Sequence, residues 1–212
     1  MSTCLCKTRR MQVVETMWTP NQQAAREKII SAAADLIAQH GLSACTIRAV
    51  AERSELTKST VHYYFDDANE LVDLSVSEIF ERMASFACDC VLAAPEGVDG
   101  LEFLVRWFLG RMKTPPEVAF RENTLWPAYT AHAWQRGATS SILRNLNAHR
   151  QVFELAMERA GVAGPEATMR ADSLHNYLIG AMIRNMIEPL PREEVAQAVS
   201  ALTGLRLDPL RY

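Results

Sequence analysis

Apolar residues recur every three or four positions along most of this chain, and no stretch alternates apolar with polar as a half-buried strand would. The spacing predicts a first helix from Thr19 or Asn21 to His40, with Ile30, Ala33, Ala34 and Ile37 on one face and Gly41 in the left-handed stop position. Two short helices follow. Thr46 can cap the first, whose Ile47, Val50 and Ala51 face inward, and Ser54 and Glu55 turn the chain. Thr57 can cap the second, with Leu56 and Val61 facing inward on either side of it. Asp67 and Glu70 match a capping box at the head of a long helix running to about Ala93. Its large apolar residues are Leu71, Leu74, Ile79, Met83, Phe86 and Cys90, and Pro95, Glu96 and Gly97 break it.

The remaining pattern is helical throughout. Helices are expected from Leu101 to Lys113, from Glu117 to about His132 (kinked or split at Pro127), and from Ser140 or Ser141 to about Ala160. A further helix over 166–188 is apolar on more than one side, which suits a place between a core and a partner. The last runs from Arg192 to about Leu205. The fold class is therefore all-α, with about nine helices. A flexible basic arm over 1–20 precedes a three-helix head over 21–66 and a larger helical body over 67–212.

The second short helix has an unusual make-up. From Lys58 to Tyr64 it carries Lys, Ser, Thr, His and two Tyr, and only Val61 is plainly apolar. Packing alone does not call for such a composition, whereas each of its polar side chains can donate to a phosphate or a base edge. Two short helices joined by a tight turn form a helix-turn-helix, whose second helix enters the major groove of double-stranded DNA.

Charge refines this picture. Residues 1–72 carry eight Lys and Arg against eight Asp and Glu, and the rest carries fourteen against seventeen, for a net charge of −3. The head is neutral, so attraction to phosphates must be local, through Lys7, Arg9, Arg10, Arg26, Lys28, Arg48 and Lys58. Such a module suits sequence-specific binding as a dimer better than coating of DNA. No apolar run is long enough to span a membrane or to serve as an export signal, which points to a cytoplasmic protein with reduced thiols at Cys4, Cys6, Cys45, Cys88 and Cys90. Gly-rich phosphate loops, nucleophile elbows and zinc-protease motifs are missing from the sequence, so an enzyme is not expected. Neither a cofactor nor a metal site is expected.

The run TIRAVAERSELTKSTVHYYFDDANEL, residues 46–71, resembles the DNA-binding signature of the TetR family of transcriptional regulators, including the ending His62-Tyr63-Tyr64-Phe65 and the close Glu70-Leu71. The resemblance implies that Arg48, Lys58 and Ser59 read bases, and that Thr46, Thr60, His62, Tyr63 and Tyr64 contact phosphates or the groove. Three positions depart from the family pattern: Glu55 replaces the turn glycine, His62 a usual Tyr, and Ala68 a usual Lys.

The body gathers large residues with scattered polar ones, which suits a ligand cavity as well as a core. The resemblance implies a small-molecule effector of unknown identity there, and the candidate contacts are Phe103, Trp107, Trp126, Tyr129, Phe153, Met157, His175 and Tyr177. A homodimer interface is expected on the last two helices through Leu174, Leu178, Ala181, Val195, Val199 and Leu202. The expectation is a ligand-responsive repressor that binds a pseudo-palindromic operator as a dimer and releases it when the effector binds, with no membrane partner. The alternatives are a helical scaffold or adaptor without specific DNA binding, and a thiol-based redox-sensing regulator.

Overall fold

The structure, a computed structural model, describes the backbone of residues 18–110 and 116–208, and the side chains of these except 116–123. The basic arm up to residue 17, with Cys4 and Cys6, therefore lies outside the described residues, as do the end of the helix expected to reach Lys113 and the side chains of Phe120 and Asn123. The described residues form nine α-helices and no strand: α1 Pro20–His40, α2 Ile47–Arg53, α3 Lys58–Tyr64, α4 Ala68–Ala93, α5 Asp99–Phe108, α6 Pro116–Gln135, α7 Thr139–Arg159, α8 Pro165–Ile187 and α9 Arg192–Thr203. By contact they divide into two compact units, one of residues 18–82 with Ala128–Asn145, the other of 83–127 and 146–208. Helices α4, α6 and α7 contribute to both.

In the first unit, local chemistry fixes the helix ends. Thr19 and Gln22 form a capping box at α1, Thr46 Oγ1 accepts from Ala49 N, and Thr57 Oγ1 accepts from Thr60 N at 3.1 Å. Asp67 Oδ1 accepts from the amides of Asn69 and Glu70 at 2.6 and 2.8 Å, as its place before α4 implies. A short 3-10 turn, Leu42–Ala44, leads from α1 into α2. Helix α1 packs on α2, and α2 on α3. The buried apolar set includes Ile29, Ala33 and Ile37 of α1, Val50 and Ala51 of α2, Val61 of α3, and Phe65 and Leu71 beyond it. Full burial of each larger side chain contributes about 1.5–3 kcal/mol, so α3, only two turns long, owes its stability to this packing and not to its own hydrogen bonds.

Two helices differ from the sequence expectation. On α1 Ile29 is buried beside Ile37, in place of Ile30, which is half-buried. On α4 the buried stripe is Leu71, Val72, Ser75, Val76, Ile79, Phe80, Ala84, Ala87, Cys88 and Val91, while Phe86 is 55 % exposed and Leu74, Met83 and Cys90 are half-buried. Small Ser and Ala residues sit inward and let a neighbouring helix approach closely, so the largest side chains mark the buried face poorly.

In the second unit, α8 packs on both α9 and α5. Asn185 Nδ2 donates to Leu109 O at 3.2 Å while its Oδ1 accepts from Leu190 N, and Arg170 donates to the carbonyl of Thr203 at the end of α9. Helix α6 runs unbroken through Pro127 rather than splitting there. A proline inside a helix removes a single donor, and the rest of the ladder can continue around it. Among the described residues, no helix is long and apolar enough to cross a membrane.

Candidate functional site

The helix-turn-helix of α2 and α3 presents a polar face. Thr46, Arg48, Lys58, Ser59, His62 and Tyr63 are exposed, Thr60 and Tyr64 are half-buried, and Val61 alone on α3 is fully buried. All eight predicted DNA contacts therefore lie at or near the surface of one helical pair. Several are already engaged. The Thr46 hydroxyl caps α2, Arg48 Nε meets Glu52 Oε1 at 2.9 Å, and the Thr57 hydroxyl lies 2.8 Å from Ser59 Oγ and 2.7 Å from Thr60 Oγ1. Hydroxyls held this way have few rotamers left to lose. Lys58 is exposed and has no acidic partner among the described residues. The other cations of this region are partly neutralised: Lys28 lies 3.5 Å from Glu55, Arg53 lies 3.9 Å from Asp35, and Arg26 sits over the Phe65 ring at 5.3 Å from its centroid.

The turn itself is strained. Glu55 has φ 55, and no other described non-glycine residue has a positive φ. An L side chain there costs about 1 kcal/mol, which glycine would not pay. Ser54 secures the turn by donating to Val50 O at 2.7 Å, and Leu56 N returns to Ala51 O.

A contact not foreseen from the sequence holds the far end of α3. Trp18, just before α1, lies 5.9 Å from the Tyr63 ring and 5.3 Å from that of Tyr64, and the two tyrosines are 5.0 Å apart. Gln22 Nε2 donates to the Tyr63 hydroxyl at 3.1 Å. Offset and edge-on aromatic pairs of this kind contribute about 0.5–1.5 kcal/mol each beyond the area they bury. The only signal in the sequence was a lone tryptophan next to the capping threonine.

The predicted ligand contacts do not all meet. Phe103, Trp107, Phe153 and His175 share one ring cluster in the second unit, joined by Phe86, Phe108 and His149, which the candidate set omitted. Phe103 and Trp107 stack at 6.4 Å, and the His149 and His175 rings stack at 6.2 Å. Burial, with His149 and Arg150 adding to it, holds the His175 imidazole down at about 3, so it is neutral. Met157 is fully buried, and Trp126 and Tyr177 are half-buried. Tyr129 belongs to the other unit. It is fully buried there, and its hydroxyl donates to Asp73 Oδ1 at 3.1 Å beside Ser141 Oγ at 2.8 Å. Arg136 closes this network on Asp73 at 2.6 Å, and burial pushes the phenol up to about 12.

Of the predicted dimer contacts, Leu174, Leu178, Ala181, Val195 and Val199 are covered within the protomer, and Leu202 is half-buried. The face that α8 turns outward instead carries Met169, Ser173, Asn176, Gly180, Ile183 and Ile187, spaced alternately by four and three residues. Neither Cys45 nor Cys90 is activated: burial pushes Cys45 up to about 11 and raises Cys90 as well, whereas a redox sensor needs a lowered thiol. Among the described residues, no group of three or more His, Cys, Asp or Glu side chains could hold a metal ion.

Comparison with known proteins agrees with this geometry. Residues 29–74 match the family model of bacterial regulatory proteins, tetR family. No curated protein matches the chain in sequence. Among solved structures, the chain is similar to a Mesorhizobium loti protein described as a TetR-family transcriptional regulator, at 19 % identity and TM-score 0.55, covering 88 % of this chain and 96 % of that one. It is similar to SmeT of Stenotrophomonas maltophilia, the repressor of the multidrug efflux pump SmeDEF, at 18 % identity and TM-score 0.52, covering 87 % and 91 %. SmeT in complex with triclosan matches at 19 % identity and TM-score 0.53, covering 86 % and 91 %. Residues 29–74 thus match the tetR-family model, and the chain that carries them has the fold of TetR-family transcriptional regulators.

Proposed function

We propose that the protein is a ligand-responsive repressor that binds a pseudo-palindromic operator as a homodimer. The observation that carries this reading is α3, a capped two-turn helix with one buried apolar side chain and an outward row of Lys58, Ser59, His62 and Tyr63. Arg48, Lys58 and Ser59 read base edges, and Thr46, Thr60, His62, Tyr63 and Tyr64 hold phosphates or the groove wall. The dimer forms through α8 and α9. Because Leu174, Leu178, Val195 and Val199 are already buried, the partner meets the outward row of α8, where Met169 is 62 %, Ile183 41 % and Ile187 86 % exposed. Gly180, with open space where a side chain would stand, lets two such helices approach closely.

The ring cluster around Trp107, Phe153 and His175 is the effector site in this reading, and SmeT, which has been seen with triclosan, offers a parallel. An effector releases DNA only if it binds the non-operator conformation more tightly. The test is anisotropy of a labelled operator duplex with the Lys58→Ala variant. Specific binding should fall at least tenfold, with the dimer and helical content retained. Unchanged affinity would remove α3 from the interface.

A further inference from the structure

Gln22 stands in the first turn of α1 and Tyr63 in the last turn of α3, 41 residues apart in sequence, and a hydrogen bond joins them. Its direction is fixed. Gln22 Oε1 accepts from Thr19 N at 2.8 Å as half of the α1 capping box, so the carboxamide cannot turn over without losing that bond. Its Nε2 therefore faces Tyr63, and an amide nitrogen only donates. The Tyr63 hydroxyl accepts at 3.1 Å and keeps its own hydrogen to give. Among the described residues, no acceptor takes that hydrogen. The ring is held as well. Trp18 and Tyr64 meet it edge-on, at 70° and 84° between planes, while the side chain remains 61 % exposed.

What such a hydroxyl can bind is narrow. It presents a donor, with an acceptor site already occupied by Gln22. In a helix-turn-helix the N-terminal residues of the second helix reach base edges. Lys58 and Ser59 hold those places here, and Tyr63 lies more than a turn beyond them. A group at that end of the helix meets the sugar-phosphate backbone, whose anionic oxygens only accept. Donation by Gln22 into the hydroxyl polarises its O–H bond and makes it a better donor, as in any chain of hydrogen bonds. A side chain held before binding also has little freedom to lose on binding.

We propose that Gln22 is a positioning residue for DNA binding: held by the α1 cap, it sets the Tyr63 hydroxyl as a donor to a backbone phosphate. The inference rests on the reading of α3 as the helix that meets DNA. The test is Gln22→Glu in the full-length protein. A glutamate here still closes the capping box and adds a favourable charge to the first turn of α1, but its second oxygen takes the Tyr63 hydrogen and leaves none for DNA. The melting temperature should hold or rise. Anisotropy of a labelled duplex of mixed sequence, at low salt, should show binding about tenfold weaker. Tyr63→Phe removes the same donor and should weaken binding about as much. Gln22→Glu should add little on top of it, since only the added charge then acts. Three results would overturn the positioning role: Gln22→Glu binding as before, Gln22→Glu losing stability along with binding, or losses from the two substitutions that multiply. Lys58→Ala, measured on the same duplex, separates this inference from the wider reading. Weaker binding there, with Tyr63→Phe unchanged, would overturn the phosphate contact and leave α3 on DNA. Unchanged affinity in all three variants, or no binding by the unsubstituted protein, would overturn both.

Discussion

Glu55 is the residue at which stability and DNA binding pull the same way. Its φ of 55 belongs to a region that favours glycine, and its carboxylate draws Lys28 to 3.5 Å. That ion pair is exposed and contributes little, so the backbone term decides. Glu55→Gly should raise stability by about 0.5–1 kcal/mol, since relief of the left-handed strain outweighs the added freedom of the unfolded chain. It should also tighten operator binding by removing an acid and freeing Lys28. Urea unfolding midpoints check the first effect, and a lowered midpoint would show that Glu55 makes contacts worth more than its strain. His175 has a different consequence. Held down at about 3 against an ordinary 6.5, it is neutral when folded and protonated when unfolded between those values. The unfolded state then binds the extra proton, so this contribution to stability is complete above pH 6.5 and is lost as pH falls towards 3, at up to about 1.4 kcal/mol per pH unit. Comparing the pH dependence of unfolding with that of His175→Phe isolates the term. Parallel curves would mean the ring is not neutral in the folded protein.

At the scale of elements, what the sequence revealed depended on how local the cause was. Whereas α7 begins at Thr139, ahead of the expected Ser140 or Ser141, the N-caps read from the sequence at Thr46, Thr57 and Asp67 are present, because a cap needs only residues two or three apart. The tetR-family match over residues 29–74 falls on that same local region. The stripe of α4 was harder to see, because inward Ser75, Ala84 and Ala87 carry little hydrophobic signal and outward Phe86 carries a great deal. The ring cluster draws residues from α4, α5, α7 and α8, so no window of sequence contains it. Tyr129 illustrates the limit: nothing near it in sequence tells that its hydroxyl reaches Asp73, 56 residues away. The outward row of α8 is likewise visible only once the inward row is known. Ile183→Arg places a charge in the middle of that row without disturbing Leu178 or Ala181. It should convert the proposed dimer to monomers in light scattering and weaken operator binding at least tenfold through loss of bivalency. A surviving dimer would place the interface on another surface.

For the whole molecule, the argument turns on symmetry and charge. The net charge of −3 gives no general attraction to DNA, and the partly neutralised cations around α3 give little more. Affinity must then come from base contacts made twice over. In the proposed dimer, two copies of α3 would reach successive major grooves about 34 Å apart, and the target should mirror that two-fold symmetry. Selection of duplexes from a random library by the full-length protein puts this claim to the most direct test. The account predicts enrichment of an inverted repeat whose half-site centres lie about one helical turn, or a whole number of turns, apart, with enrichment lost in Lys58→Ala. Recovery of no common sequence, or of a single unrepeated half-site, would contradict it.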